Sequence, residues 1–189
     1  MAMKPALFLD RDGVIIKNRQ DYVRTWSDVF IYPQALSALE KIESSPYKIF
    51  IITNQSAVGR GIISHHAASE INKRLVKEIK ASGGRIDGVF MCPHTPLENC
   101  KCRKPEPGLI LEAATRHSIE LSTSILIGDA LSDIIAGQTA GVAQNVLVRT
   151  GRGLDQSVLP LASQLPDFLI YESLFDALEH LFPELFDIP

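Results

Sequence analysis

Short apolar runs alternate along this chain with longer amphipathic stretches, and that alternation restricts the fold more than any other feature. Ala6–Leu9 is an apolar run ending at Asp10, the pattern of a strand buried on both faces. Pro33 can occupy a first helical turn, and Ala35, Leu36, Leu39 and Ile42 recur at helical spacing as far as the Ser44-Ser45-Pro46 stop. A second strand is expected over Lys48–Thr53. Ser64 can cap a helix running to about Ala81, with Ile71, Leu75, Val76 and Ile79 on one face and Gly83-Gly84 beyond its end. A weaker strand at Val89–Met91, a helix at Pro107–His117, a strand at Ile125–Gly128, a helix at Ser132–Ala140 and a strand at Asn145–Arg149 continue the pattern. The tail, Phe168–Pro189, is apolar enough to supply a last strand and helix. Parallel strands need a crossover connection, which these helices provide. The expectation is therefore an α/β, Rossmann-like three-layer domain with a parallel sheet. At 189 residues the chain is read as one domain, 1–189, with a Cys-rich loop at 92–104 and no separate cap domain.

Charge narrows the possible partners. With 19 Lys+Arg against 22 Asp+Glu the formal charge is −3, so no basic field exists to hold a polyanion, and nucleic acid is not expected. No apolar stretch approaches the ~20 residues of a membrane helix. A cytoplasmic monomer acting on a small molecule is the expectation.

Asp10-Arg11-Asp12-Gly13 follows the first strand directly, presenting two carboxylates at the C-terminal edge of a sheet, where open α/β folds bind ligands. An Asp-x-Asp-Gly turn also opens an EF-hand calcium loop. That loop wants Gly at its sixth position and Glu at its twelfth, and here Ile15 and Asp21 stand there. Asp129 ends another strand, with Asp133 at the start of the next helix, so acidic edges could converge on one Mg²⁺, which keeps positions open for phosphate oxygens. Thr53-Asn54-Gln55-Ser56 ends the second strand with hydroxyls and backbone N–H groups able to cradle a phosphate, or simply to form a polar turn.

Cys92, His94, Cys100 and Cys102 supply three thiolates and an imidazole, the donor set of a tetrahedral Zn²⁺ site. Three thiolates close the coordination, so the role is structural. Arg103 and Lys104 follow the last ligand, so the metal would fix the backbone that aims two cations. Lys104 is read as reaching a transferring phosphoryl group and Arg103 as gripping the substrate.

Asp10-x-Asp12-Gly13, Thr53-Asn54, Lys104 and Gly128-Asp129-x-x-x-Asp133, in that order over about the first 150 residues, resemble the haloacid dehalogenase superfamily of phosphatases. The resemblance implies that Asp10 is the nucleophile that becomes aspartyl-phosphate, and that Asp12 is the general acid and then the base that activates water. It implies Mg²⁺ held by the side chains of Asp10 and Asp129 and the backbone carbonyl of Asp12, with Thr53 and Lys104 neutralising phosphoryl charge. The Cys-x-His…Cys-x-Cys-Arg-Lys-Pro loop is similar to the branch containing heptose 1,7-bisphosphate phosphatases and histidinol-phosphate phosphatases, with more features of the heptose members. In that branch the segment at Asn18, Arg19, Gln20 and Asp21 contributes substrate contacts. Two positions depart from the heptose pattern, Ile16 in place of Asn and Ala130 in place of Lys. Histidinol phosphate, other phosphomonoesters, transfer to an acceptor other than water, and a zinc-stapled binding module without turnover remain as alternatives.

Overall fold

Six strands, β1 (Ala6–Leu9), β2 (Lys48–Asn54), β3 (Gly88–Cys92), β4 (Ile125–Gly128), β5 (Gln144–Val148) and β6 (Leu169–Tyr171), pair in parallel in the order β3-β2-β1-β4-β5-β6. The computed structural model describes residues 3–187. Its helices are α1 (Pro33–Lys41), α2 (Ser56–Gly59), α3 (His65–Ala81), α4 (Gly108–His117), α5 (Leu131–Ala140), α6 (Gly153–Ser157), α7 (Leu174–Leu181) and α8 (Pro183–Phe186). The expected tail strand and helix are β6 and α7; Ile188 and Pro189, at the end of that tail, lie outside the described residues.

The three-layer arrangement follows from the two-residue period of a strand. On β1, Leu7 and Leu9 lie in register with Ile49, Ile51, Ile125 and Ile127, and these pack with Leu39 of α1, Leu75 of α3 and Leu178 of α7. The intervening Phe8 lies in register with Phe50 and Leu126, and this opposite face packs on Leu109 and Ile110 of α4 and Ala136 of α5. Each fully buried Leu or Ile contributes about 1.5–3 kcal/mol of transfer free energy, so β1, buried along its whole length, is the strand the fold is built around.

Element ends match local chemistry. Ser64 accepts a hydrogen bond from the Ala67 N–H at 3.0 Å and starts α3 where expected. Helix α5 begins one residue early, at Leu131, because the Asp133 carboxylate accepts from the Ala130 N–H at 3.0 Å and makes Ala130 the cap. The short α2 and α6 were not foreseen, since four or five residues show no helical period. Ile16 is fully buried in the main core, so the side chain at this position serves packing. Among the described residues no helix is long and apolar enough to cross a membrane.

Candidate active site and metal centres

All strands point the same way, so β1, β2 and β4 deliver their C-terminal residues to one edge. Asp10 follows β1, Asp129 follows β4 and Asp133 lies in the first turn of α5; all three are buried, and their carboxylate oxygens lie within 4.8 Å of one another. Lys104 comes into this cluster from the Cys-rich loop. Its ammonium stands 2.6 Å from Asp10 Oδ1 and 2.6 Å from Asp133 Oδ1, and donates to the Ile52 carbonyl at 2.9 Å. Asn54 at the end of β2 holds the Lys104 backbone, accepting from its N–H at 3.1 Å and donating to its carbonyl at 3.0 Å.

Burial and like charge set the electrostatics. Burial pushes the Asp10 carboxyl up to about 7; Lys104 opposes the rise, while Asp133, Asp129 and Asp12 reinforce it. Burial also raises Asp129, against the pull of Arg152. Lys104 moves up despite burial, because Asp10 and Asp133 favour its charged form. The cluster is thus short of positive charge, and its hard carboxylate oxygens are the donor type that Mg²⁺ takes.

The Asp12 carboxylate lies outside that three-carboxylate group but lines the same cleft. Its Oδ2 accepts from Gln55 Nε2 at 2.9 Å and lies 3.5 Å from Thr53 Oγ1, while Arg11 bonds both oxygens. The Asp12 carboxylate is thus engaged by protein donors on both oxygens. Thr53 is fully buried, its hydroxyl is engaged by Gln55 Nε2 at 2.8 Å and by Asp12, and it stands beneath the cleft rather than on its lining.

A cleft of about 760 Å³ opens over Asp10 and Asp12. Asn18, Arg19, Gln20, Asn54, Gln55, Ser56, Arg103 and Lys104 line it. Asp21 does not: it is exposed and outside the lining, in a turn that ends at Tyr22 with φ 63°. Arg152 lines it without having been foreseen. Its backbone N–H donates to Asp129 Oδ2 at 2.9 Å and its guanidinium to Asp129 Oδ1 at 3.0 Å. The available signal was Gly151-Arg152 just past the end of β5. Gly151 has φ 61°, and a Cβ there would stand 2.3 Å from Asp129 Oδ2; at Gly13, φ 95°, it would stand 2.1 Å from the same oxygen. Neither turn can carry a side chain without expelling Asp129.

Cys92, at the end of β3, meets His94, Cys100 and Cys102 in a tight group, with the donor atoms of the four residues all within 4.8 Å of one another. Cys102 Sγ lies 3.1 Å from Cys92 Sγ, 3.4 Å from Cys100 Sγ and 3.3 Å from His94 Nδ1. A tetrahedron with ~2.3 Å metal–sulfur bonds has edges of about 3.8 Å, so the four donors, a few tenths of an ångström closer than that, need only spread slightly to form a four-coordinate soft-ligand site. Burial and the neighbouring Cys92 and Cys100 thiols push the Cys102 thiol up, a penalty that a bound cation removes. Arg103 is tied to the same loop, donating to the His94 carbonyl at 3.3 Å.

A family model described as HAD-hydrolase-like matches residues 101–177. The chain is 31% identical over 179 residues to a D-glycero-beta-D-manno-heptose-1,7-bisphosphate 7-phosphatase of Neisseria meningitidis, covering 94% of this chain and 95% of that protein. It is 41% identical over 144 residues to a protein of the same description from Helicobacter pylori, covering 76% and 82%. Among solved structures, the D,D-heptose 1,7-bisphosphate phosphatase of B. bronchiseptica, complexed with magnesium and phosphate, superposes with a TM-score of 0.87 at 31% identity, covering 95% of this chain and 99% of that one.

Proposed function

The chain belongs to the haloacid dehalogenase-like phosphatases, in the heptose 1,7-bisphosphate phosphatase family, and from that premise we propose that it hydrolyses a phosphate ester of a heptose, D-glycero-D-manno-heptose 1,7-bisphosphate, through a phosphorylated Asp10. The observation that carries the reading is Lys104, buried and 2.6 Å from both Asp10 and Asp133 on the floor of the cleft.

Asp10 Oδ attacks phosphorus as the ester P–O bond breaks, and the departing sugar oxygen takes a proton from Asp12. Water then attacks the aspartyl-phosphate, Asp12 accepts its proton, and the bond to Asp10 breaks to release phosphate. Lys104 neutralises charge at the transferring group, and Arg103, Arg19 and Asn18 grip the rest of the substrate. Thr53 contributes by holding Gln55 and Asp12. Asp10, Asp129 and the Asp12 carbonyl would hold Mg²⁺, with Asp133 beside them; bound there, the ion supplies charge neutralisation at phosphoryl oxygens.

Zn²⁺ on Cys92, His94, Cys100 and Cys102 would have a structural role, keeping Arg103 and Lys104 aimed into the cleft. A cytoplasmic location is supported by the confinement of every cysteine to this group, which suits a reducing compartment.

Phosphate release from heptose 1,7-bisphosphate and from histidinol phosphate, side by side with and without Mg²⁺, tests the proposal. Mg²⁺-dependent release from the heptose ester in preference to the other is expected. Preferential release from histidinol phosphate would reassign the substrate, and release from neither would remove the hydrolase reading.

A further inference from the structure

Arg11 is the largest fully buried side chain of the described residues, at 1% exposure. A guanidinium is not taken out of water without partners that replace its hydration. Two residues serve. Asp12 receives Nε at 3.0 Å on Oδ2 and Nη2 at 3.1 Å on Oδ1, the fork arrangement that fixes a carboxylate in both position and plane. The remaining nitrogen, Nη1, donates to Asn72 Oδ1 at 2.7 Å.

Asn72 is an odd residue for its place. It sits in α3 between core positions Ile71 and Leu75, is 4% exposed, and has a lower helix propensity than its apolar neighbours. Both ends of its amide are occupied: Oδ1 by Arg11, and Nδ2 by the Met91 sulfur on β3 at 3.6 Å. The rigid framework of α3 and β3 therefore sets where the amide oxygen stands, and the amide oxygen sets where the Arg11 fork opens.

We propose that Asn72 is a positioning residue for phosphoryl transfer, acting through Arg11 to hold the Asp12 carboxylate at the leaving oxygen. The inference rests on the proposed role of Asp12 as the proton donor. Without an acceptor at residue 72 the guanidinium loses its third anchor, and the Asp12 carboxylate, held otherwise only on Oδ2 by Gln55 and Thr53, is free to turn with it. A displacement near 1 Å is enough to cost about 10²-fold in a positioned step.

The test exploits leaving-group chemistry. An alkyl phosphate needs its departing oxygen protonated, whereas p-nitrophenyl phosphate expels a stable phenolate without help. In a covalent mechanism kcat/KM reports the steps up to formation of the phosphorylated enzyme, so comparing the two esters isolates proton donation. Asn72→Leu, near in shape and lacking the acceptor, is expected to lower kcat/KM for a sugar phosphate at least about tenfold and for p-nitrophenyl phosphate less than about threefold. Asn72→Asp, which restores an acceptor, should bring the ratio back toward the wild-type value. Because the ratio is measured on one sample, the fraction of folded enzyme cancels. Parallel loss on both esters, no loss on either, or an Asn72→Asp ratio equal to that of Asn72→Leu would overturn the positioning role while the hydrolase reading stands. A wild-type enzyme that turns over neither ester would overturn both.

Discussion

Where β2 and β3 begin, Asp87 accepts from the Lys48 ammonium at 2.7 Å, from the Ile49 N–H at 2.8 Å and from Arg85 at 3.1 Å. Where β1 and β4 finish, Asp10, Asp129 and Asp133 share Lys104 and Arg152. The residue types are the same at the two ends of the sheet, and the electrostatic outcomes are opposite. Burial would raise the Asp87 carboxyl, but its three donors outweigh burial and hold it below the usual carboxylate range. At Asp10 burial and three neighbouring carboxylates outweigh Lys104. Arg85 also donates to the carbonyls of Glu43, Ser45 and Tyr47, stapling the loop before β2. A cluster complete in itself stabilises the fold, whereas one left short of positive charge is equipped to take a cation and a phosphate.

The sharpest way to break that division is Asp10→Asn. Phosphate release should fall at least about 10⁴-fold with circular dichroism unchanged, while Asp87→Asn should leave kcat/KM within about twofold. Comparable losses in both variants would erase the distinction between the ends. Next in size is the Cys-rich loop: Cys102→Ser should lose zinc by elemental analysis and raise KM by about tenfold, with the Mg²⁺ activation midpoint little moved. An unchanged KM in zinc-free protein would detach the loop from the site.

Asp87→Asn should instead cost about 1–3 kcal/mol in urea unfolding at neutral pH. The sign follows from the lowered carboxyl. Between its folded value and the ordinary ~3.9 the unfolded chain binds more protons, so stability rises with pH through that window. The contribution is complete above the ordinary value and lost as pH falls through the folded one, so wild type and variant should converge in acid. A gap that persists there would mean that packing, and not charge, is what Asp87 provides. Smallest of all, Asp21→Ala should change KM less than about twofold, since Asp21 is exposed beside the cleft without lining it.

What could be read from the sequence was local. Asp10 and Asp129 each end an apolar run, and a parallel sheet carries such ends to one edge, so strand pattern alone brings them together, with Asp12 two residues behind Asp10. The Cys and His ligands fall in one short window, which makes their spacing interpretable. Arg152 and Asn72 act across the fold: Arg152 reaches a residue 23 positions away and Asn72 one 61 positions away. Neither carries a local motif, and an Asn inside a helical pattern reads as a surface position until the helix is docked. The depth of Thr53 is illegible for a related reason, because a strand end does not reveal which side chains lie on the floor and which beneath it.

Rapid acid quenching of enzyme mixed with heptose 1,7-bisphosphate and Mg²⁺, followed by peptide mass mapping, addresses the nucleophile itself. A phosphoryl group on the peptide containing Asp10, absent from Asp10→Asn, is the predicted result. Phosphate release at an undiminished rate from Asp10→Asn, with no labelled peptide in either protein, would contradict it.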